Sequence, residues 1–247
     1  MAVLTQAEIL PQIIEKMNLP ESNHPLLETT AGDFPLDEYR LNLAGRELKI
    51  LHVSAILTHQ DESKFLLEST NPLPYGVVLW SATVALAHEI ASRPDDFRGK
   101  RVLELGAGTG LPGILAASLG AAVAQTDKNN LAMTLCKRNC ELNDLKTIEH
   151  RLADWTNWDD ATHYDWILGS DILYGIEMQS HLRRIFEMNL APGGRILLSD
   201  PFRSGSLRLL ETMETDGWKI SMNKWSVGQE SVPRSIAVFE LTPPAQT

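Results

Sequence analysis

Chemistry first suggests itself in this chain at Val102-Leu103-Glu104-Leu105-Gly106-Ala107-Gly108-Thr109-Gly110-Leu111-Pro112-Gly113, where four glycines fall within eight residues after an apolar run. Glycine lets the backbone pass close to a ligand without a Cβ clash, and a helix starting here offers it unpaired N–H groups. Gly108-Thr109-Gly110-Leu111-Pro112-Gly113 satisfies the G-x-G-x-x-G dinucleotide pattern, with Asp127 at about the distance expected for a ribose carboxylate. Three observations weigh against a dehydrogenase. Glu104 stands two residues before Gly106, where an acidic side chain suits a cationic aminoacyl group better than a pyrophosphate. The glycine loop begins about a hundred residues into the chain, whereas short dehydrogenases usually open with theirs. None of the tyrosines starts a Tyr-x-x-x-Lys pair: Tyr39, Tyr75, Tyr164 and Tyr174 are followed four residues later by Leu43, Leu79, Leu168 and Met178.

Other polar candidates follow short apolar runs, as ligand-binding residues do at the carboxyl ends of parallel strands. Asp127 can accept from both ribose hydroxyls, with capping of the next helix as its lesser alternative role. Asp154-Trp155 offers an acceptor and an aromatic edge for a nucleobase, with core packing as the plainer role for the indole. Ser170 and Asp171 end a further run, and Tyr174 follows them; a loop aromatic capping the next helix is its alternative role. Cys136 and Cys140 lie four apart in a helical stretch, too far for an easy disulfide, and read as buried thiols in a reducing compartment. Two such ligands alone do not make a metal site, so no metal is expected.

These residues need a frame. From Gly99 on, apolar runs alternate with stretches of helical period, the pattern of βαβ units. Strands are expected at Arg101–Leu105, Ala122–Asp127, Thr147–Asp154, Tyr164–Asp171 and Arg195–Asp200. Helices are expected at Leu111–Leu119, Asn130–Asn143, Ile176–Asn189 and Leu207–Thr215, the third stopping before Pro192-Gly193-Gly194. Two final strands, Trp218–Val227 and Ser235–Leu241, should pair as an antiparallel hairpin. The fold class is therefore α/β: a doubly wound, Rossmann-like sheet of seven strands with a C-terminal hairpin and a small N-terminal extension. Upstream, Val77–Ser92 reads as a helix on the sheet. Tyr39–Leu43 and Leu48–Val53 read as a hairpin around Ala44-Gly45, and Thr58–Pro72 as a polar, turn-rich mobile loop. Residues 1–74 form the extension, packed on or near the active site, and 75–247 the main domain.

The composition is that of a soluble globular chain: 247 residues, 43% hydrophobic and 22% charged. A formal net charge of −10 repels phosphate backbones, and Lys and Arg are scattered, so nucleic acid is not an expected partner. No apolar run reaches the roughly 20 residues of a membrane span, so no membrane is expected either. Met1–Pro11 lacks a basic start with an apolar core, which points to the cytoplasm.

Glu-Leu-Gly-Ala-Gly-Thr-Gly at 104–110 resembles the first motif of class I S-adenosylmethionine-dependent methyltransferases, and the terminal hairpin is similar to theirs. Val78-Leu79-Trp80-Ser81-Ala82 with Leu86-Ala87, Gly110-Leu111-Pro112-Gly113, and Ser170-Asp171-Ile172-Leu173-Tyr174 resemble the family-16 group, which contains many protein lysine methyltransferases. The resemblance covers about Tyr75–Leu241. Ser81 stands where many members carry proline, and the first seventy residues match nothing in the group.

The resemblance implies S-adenosyl-L-methionine as cofactor, held by Trp80, Glu104, Gly106, Gly108, Gly110, Asp127, Asp154, Trp155 and Ser170. It also implies an acceptor amine oriented by Asp171 and Tyr174, so that the sulfonium, already an activated leaving group, meets an aligned nucleophile. The expected reaction is N-methylation of a protein side chain, lysine first, with a small-molecule amine or a nicotinamide-like pyridine as the alternative acceptor. Enzymes that methylate base amines typically carry Asn/Asp-Pro-Pro-Tyr after the fourth strand. That motif is missing here, and Asp200-Pro201-Phe202 after the fifth strand is a decoy for it. A non-catalytic binder on the same fold is disfavoured by the intact glycine loop.

Overall fold

The computed structural model describes residues 25–29, 32–67, 75–203, 205–228 and 233–244. The segment Met1–Pro11 and the end of the expected Thr58–Pro72 loop lie outside these residues. Seven strands form the central sheet: β1 (Arg101–Leu105), β2 (Ala122–Asp127), β3 (Glu149–Leu152), β4 (Tyr164–Ser170), β5 (Leu190–Asp200), β6 (Lys219–Val227) and β7 (Arg234–Thr242). Their order is β6-β7-β5-β4-β1-β2-β3. The five strands from β5 to β3 pair in parallel, while β7 runs antiparallel to both β5 and β6. Strand order reverses between β1 and β4, which opens a crevice at their carboxyl ends.

Alternation along the strands builds both faces. Val102, Trp166, Leu168, Leu197, Ile236 and Val238 join one buried cluster, and Leu103, Ile167, Leu198, Ala237 and Phe239 join the other. Among the described residues, six helices accompany the sheet: α1 (His59–Leu67), α2 (Ser81–Ala91), α3 (Leu111–Ser118), α4 (Asn130–Leu142), α5 (Gln179–Asn189) and α6 (Ser206–Thr215). Residues of α2 and α3 enter the first cluster; Leu182, Ile185 and Phe186 of α5 and Leu209, Leu210 and Met213 of α6 enter the second.

Four expectations need correction. Val77–Ser92 is not one helix: a single 3-10 turn at Tyr75–Val77 leads into a strand at Val78–Trp80, paired in parallel with Ser54–Ile56, and α2 begins only at Ser81. A short run of buried apolar residues fits a strand as well as a helix, and here the pairing decides. Thr58–Pro72 is not a turn-rich loop over its described part. α1 occupies it, started by a reciprocal cap in which Thr58 Oγ1 accepts from Asp61 N at 3.1 Å and Asp61 Oδ2 accepts from Thr58 N at 2.8 Å. β5 starts five residues before Arg195, because Leu190 already faces Tyr164. Pro192-Gly193-Gly194 then bulges out, with Gly193 at φ +74°, before the ladder resumes at Arg195. Finally, β3 is only four residues long, and Asp154 lies beyond it.

The upstream hairpin is confirmed at Asp37–Leu43 and Arg46–His52, turning on Ala44 and Gly45 at φ +49° and +72°, the two positive angles a two-residue hairpin loop favours. Side-chain amides of α4 hold it to the domain. Asn139, fully buried, accepts from Leu51 N at 2.8 Å and donates to Leu51 O at 3.0 Å and Thr109 O at 2.9 Å. Asn143 repeats the pattern on Lys49, accepting at 3.0 Å and donating at 2.7 Å. Asn139→Ala should therefore leave buried Leu51 and Thr109 groups unpartnered, at about 1–3 kcal/mol per group. A urea denaturation midpoint well below the parent's is the expected result; an unchanged midpoint would show that water replaces the amide.

Candidate active site

A cavity of about 630 Å³ occupies the crevice, a volume within the range of small-molecule sites. The glycine loop forms its floor. Gly106 sits at φ +62°, and a Cβ there would lie 3.1 Å from Ile172 Cγ2 and 3.4 Å from Trp155 Cζ2, so only glycine keeps this wall open. Gly110, at φ +82°, precedes the first residue of α3, and its Cβ would fall 2.6 Å from Cys136 Sγ.

Of the residues singled out in the sequence, Trp80, Gly106, Gly108, Asp127, Asp154, Trp155, Ser170, Asp171 and Tyr174 line this cavity together. Glu104 and Gly110 do not. Glu104 is 1% exposed and works beneath the loop: its Oε2 accepts from Gly113 N at 3.1 Å and from Gln125 Nε2 at 2.6 Å. Gln125 Nε2 also donates to Gly110 O at 2.8 Å. Burial drives the Glu104 carboxyl up to about 8, against the partial relief of its two donors.

Asp127 closes β2 without capping α4. That task falls to Asn129, whose Oδ1 accepts from Leu131 N at 2.9 Å and Ala132 N at 3.2 Å. Each Asp127 oxygen accepts one backbone N–H, from Gly108 at 3.1 Å and Asn129 at 2.8 Å. Each therefore keeps a lone pair for a diol, and burial raises this carboxyl also. Asp154 is exposed and caps the single turn Trp155–Asn157, accepting from Thr156 N at 2.9 Å and Thr156 Oγ1 at 2.8 Å; these bonds hold its carboxyl below the usual range.

Asp171 brings in partners that the sequence did not suggest. Its two oxygens receive Arg203 Nε and Nη2, each at 2.6 Å, in a bidentate pair. Arg203 Nη1 lies 2.9 Å from Glu62 Oε1 on α1, and Glu62 Oε2 lies 2.6 Å from Arg234 Nη2. The Arg203 guanidinium also stands 5.8 Å over the Trp80 ring. Asp171 has φ +53° and Phe202, beside Arg203, φ +63°, so both loops that carry the pair hold an uncommon backbone conformation. The decoy Asp200-Pro201-Phe202 is the turn that delivers Arg203: buried Asp200 Oδ1 accepts from Arg203 N at 2.8 Å and Ser206 Oγ at 3.0 Å. Its position after a parallel strand was the available signal.

Trp80 donates Nε1–H to Tyr75 O at 3.0 Å and stacks on Tyr75, with Phe65 edge-on to both at 5.8 and 5.7 Å. Ser170 Oγ shares a hydrogen bond with Thr83 Oγ1 at 3.0 Å. Tyr174 stands exposed at the rim. The arrangement offers a cradle for a nucleoside-bearing ligand at one end and an aromatic wall with a neutralised carboxylate at the other. Away from the cavity, Cys136 and Cys140 are buried free cysteines.

A family model described as lysine methyltransferase matches residues 59–208, more than half of the chain. The protein N-lysine methyltransferase METTL21A of Xenopus tropicalis is 35% identical over 167 residues, covering 64% of this chain and 76% of that relative. The histone-arginine methyltransferase METTL23 of Xenopus laevis is 37% identical over 106 residues, covering 40% of this chain and 45% of the relative. The calmodulin-lysine N-methyltransferase of Arabidopsis thaliana is 33% identical, over 53% and 47% of the two chains. The chain thus spans less than half the length of the latter two. Among solved structures, a ribosomal protein L11 methylase from Lactobacillus delbrueckii subsp. bulgaricus superposes with a TM-score of 0.56 at 19% identity, over 83% of this chain and all of that one. At that identity the likeness speaks for the fold.

The raised Glu104 carboxyl has a consequence for stability. Its folded value, about 8, exceeds its ordinary value of 4.5, so the native state binds the proton more tightly than the unfolded chain. The stability tied to this group is full below about pH 4.5 and is lost as pH rises toward 8. Denaturation midpoints should fall across that window in the parent and fall less in Glu104→Gln. Parallel pH slopes in the two proteins would exclude the buried carboxyl as the source.

Proposed function

This chain belongs to the lysine methyltransferase family, and on that footing we propose that it N-methylates a lysine side chain of a protein substrate. It is an S-adenosyl-L-methionine-dependent methyltransferase, and the cofactor supplies the methyl group on a sulfonium that needs no further activation. In this reading the backbone of Gly106, Ala107 and Gly108 runs beneath the cofactor, Asp127 accepts from the ribose, and Asp154 and Trp155 face the adenine. Trp80 and Ser170 flank the reacting end.

The observation that carries the acceptor assignment is the Asp171–Arg203 pair set against the aromatic wall. A lysine amine must be neutral to attack, against an ordinary pKa near 10.4. Phe65, Tyr75 and Trp80 supply apolar surface that disfavours its charged form. An unpaired carboxylate beside the amine would instead stabilise the ammonium. Arg203 neutralises Asp171, which leaves the carboxylate its remaining lone pairs for orienting an N–H without holding the proton. Tyr174 at the rim supplies a second hydrogen-bonding group. Asp171 and Tyr174 are positioning groups in this account, and neither acts as a strong base.

We place residues 1–74 as an extension whose α1 closes the acceptor side through Glu62 and Phe65, and 75–247 as the methyltransferase domain. A cytoplasmic location agrees with the free thiols. Among the described residues no helix is long and apolar enough to cross a membrane.

The test is transfer from labelled S-adenosylmethionine into a lysate, with protein and small-molecule fractions counted separately and the modified residue identified by mass spectrometry. Label on protein lysine is expected. Label confined to small molecules would sink the proposal, and label on arginine would move the acceptor toward the activity named for METTL23.

Variants dissect the site further. Tyr174→Phe should keep cofactor affinity and melting temperature while single-turnover transfer drops, since misplacement by about 1 Å can cost on the order of 10²-fold. Asp171→Asn should lower both melting temperature and transfer, because it also unpairs a partly buried Arg203. Normal transfer by both saturated variants would remove them from the acceptor site.

A further inference from the structure

Outside the cavity, three soft donors converge on the far side of the glycine loop. Cys136 and Cys140 stand one turn apart on α4, and His150 reaches them from β3. Their ligand atoms all lie within 4.8 Å of one another, and Cys140 Sγ is 3.3 Å from His150 Nε2. A fourth donor closes the group: Gln125 Oε1 lies 3.2 Å from Cys136 Sγ and 3.3 Å from Cys140 Sγ. None of the four lines the cofactor cavity.

We propose that Cys136, Cys140 and His150, completed by the Gln125 amide oxygen, form a binding site for a soft divalent cation of the zinc type. Tetrahedral zinc with Zn–S near 2.3 Å and Zn–N near 2.0–2.1 Å separates neighbouring donors by about 3.5–3.8 Å. The three contacts given above are slightly shorter, and the other pairs among the two thiols and the imidazole lie within 4.8 Å, so small shifts of the donors would seat the ion. Charge balances as well. Binding releases the two thiol protons, and two thiolates with neutral imidazole and amide ligands cancel the charge of the ion. A buried site requires that cancellation. His150 is half-buried on the edge strand of the sheet and supplies the route inward.

The location gives the site a consequence. Gln125 would bind the ion through Oε1 while its Nε2 holds Glu104 and the carbonyl of Gly110. Occupancy would tie α4, β2 and β3 together directly beneath the cofactor loop.

The experiment is a titration of the metal-stripped full chain with Co²⁺ alone. The expected result is one equivalent bound, with the intense visible bands of a tetrahedral site, thiolate-to-cobalt charge transfer, and displacement by Zn²⁺. Cys140→Ser and His150→Gln should each abolish or strongly weaken that spectrum while still binding S-adenosylhomocysteine, which shows that they are folded. Zn²⁺ should raise the melting temperature of the parent and not of the variants. A parent spectrum that is octahedral or lacks thiolate charge transfer overturns the site, whatever the variants do. So do tetrahedral bands that persist unchanged in both variants.

Discussion

A loop that must come close to a ligand has to shed its side chains, and it can then no longer hold itself in place. This constraint organises the centre of the molecule. Gly106, Gly108 and Gly110 all lie at positive φ, and the loop they form is fixed from beneath by other residues. Glu104 takes the amide of Gly113, Gln125 takes the carbonyl of Gly110, and Asn139 takes the carbonyl of Thr109. Three polar side chains, each at most 1% exposed, thus stand under a surface that presents mostly backbone to the cavity. Buried polar groups are costly unless satisfied, and here each satisfies another.

The other end of the cavity follows a different logic. There the side chains are large and charged, and strain resides in the backbone. Asp171 and Phe202 both take left-handed conformations on loops that follow adjacent parallel strands, and the Asp171–Arg203 pair spans the gap between them. Glu62 extends the same chain of charges to α1, and Arg234 extends it to β7. One ionic network therefore joins the fourth and fifth strand ends, the upstream helix and the terminal hairpin around the place where an acceptor would enter.

Much of this was legible in the sequence, for identifiable reasons. β1 and β2 match their expected limits because a short apolar run bounded by glycine or a turn admits little else. The terminal hairpin and the cluster of site residues at strand ends followed from topology. What escaped was contact between segments far apart in the chain. Glu104 reads as a ligand group because its spacing from Gly106 is visible, whereas Gln125, which turns it inward, lies on another strand. Arg203 sits 32 residues from Asp171 in a turn whose composition resembles a different motif. Val78–Trp80 extends because Ser54–Ile56 pairs with it, and no local propensity carries that information. The cap that starts α1 was readable in Thr58 and Asp61, and a polar composition obscured it.

The amides that hold the upstream hairpin also set a schedule. Lys49 and Asn143 are 94 positions apart, and Leu51 and Asn139 are 88 apart. A ribosome adding roughly 5–20 residues per second needs about 5–20 s to make such an interval. During that time the hairpin exists without the helix that completes its hydrogen bonds, and an isolated two-stranded ribbon is marginal in water. Docking of the hairpin is therefore a late event in biogenesis, and the nascent chain carries Leu51, which joins Leu135 of α4 in one buried cluster of the finished protein, without that partner until α4 emerges. A holding factor that binds exposed aliphatic segments has its natural target in that interval.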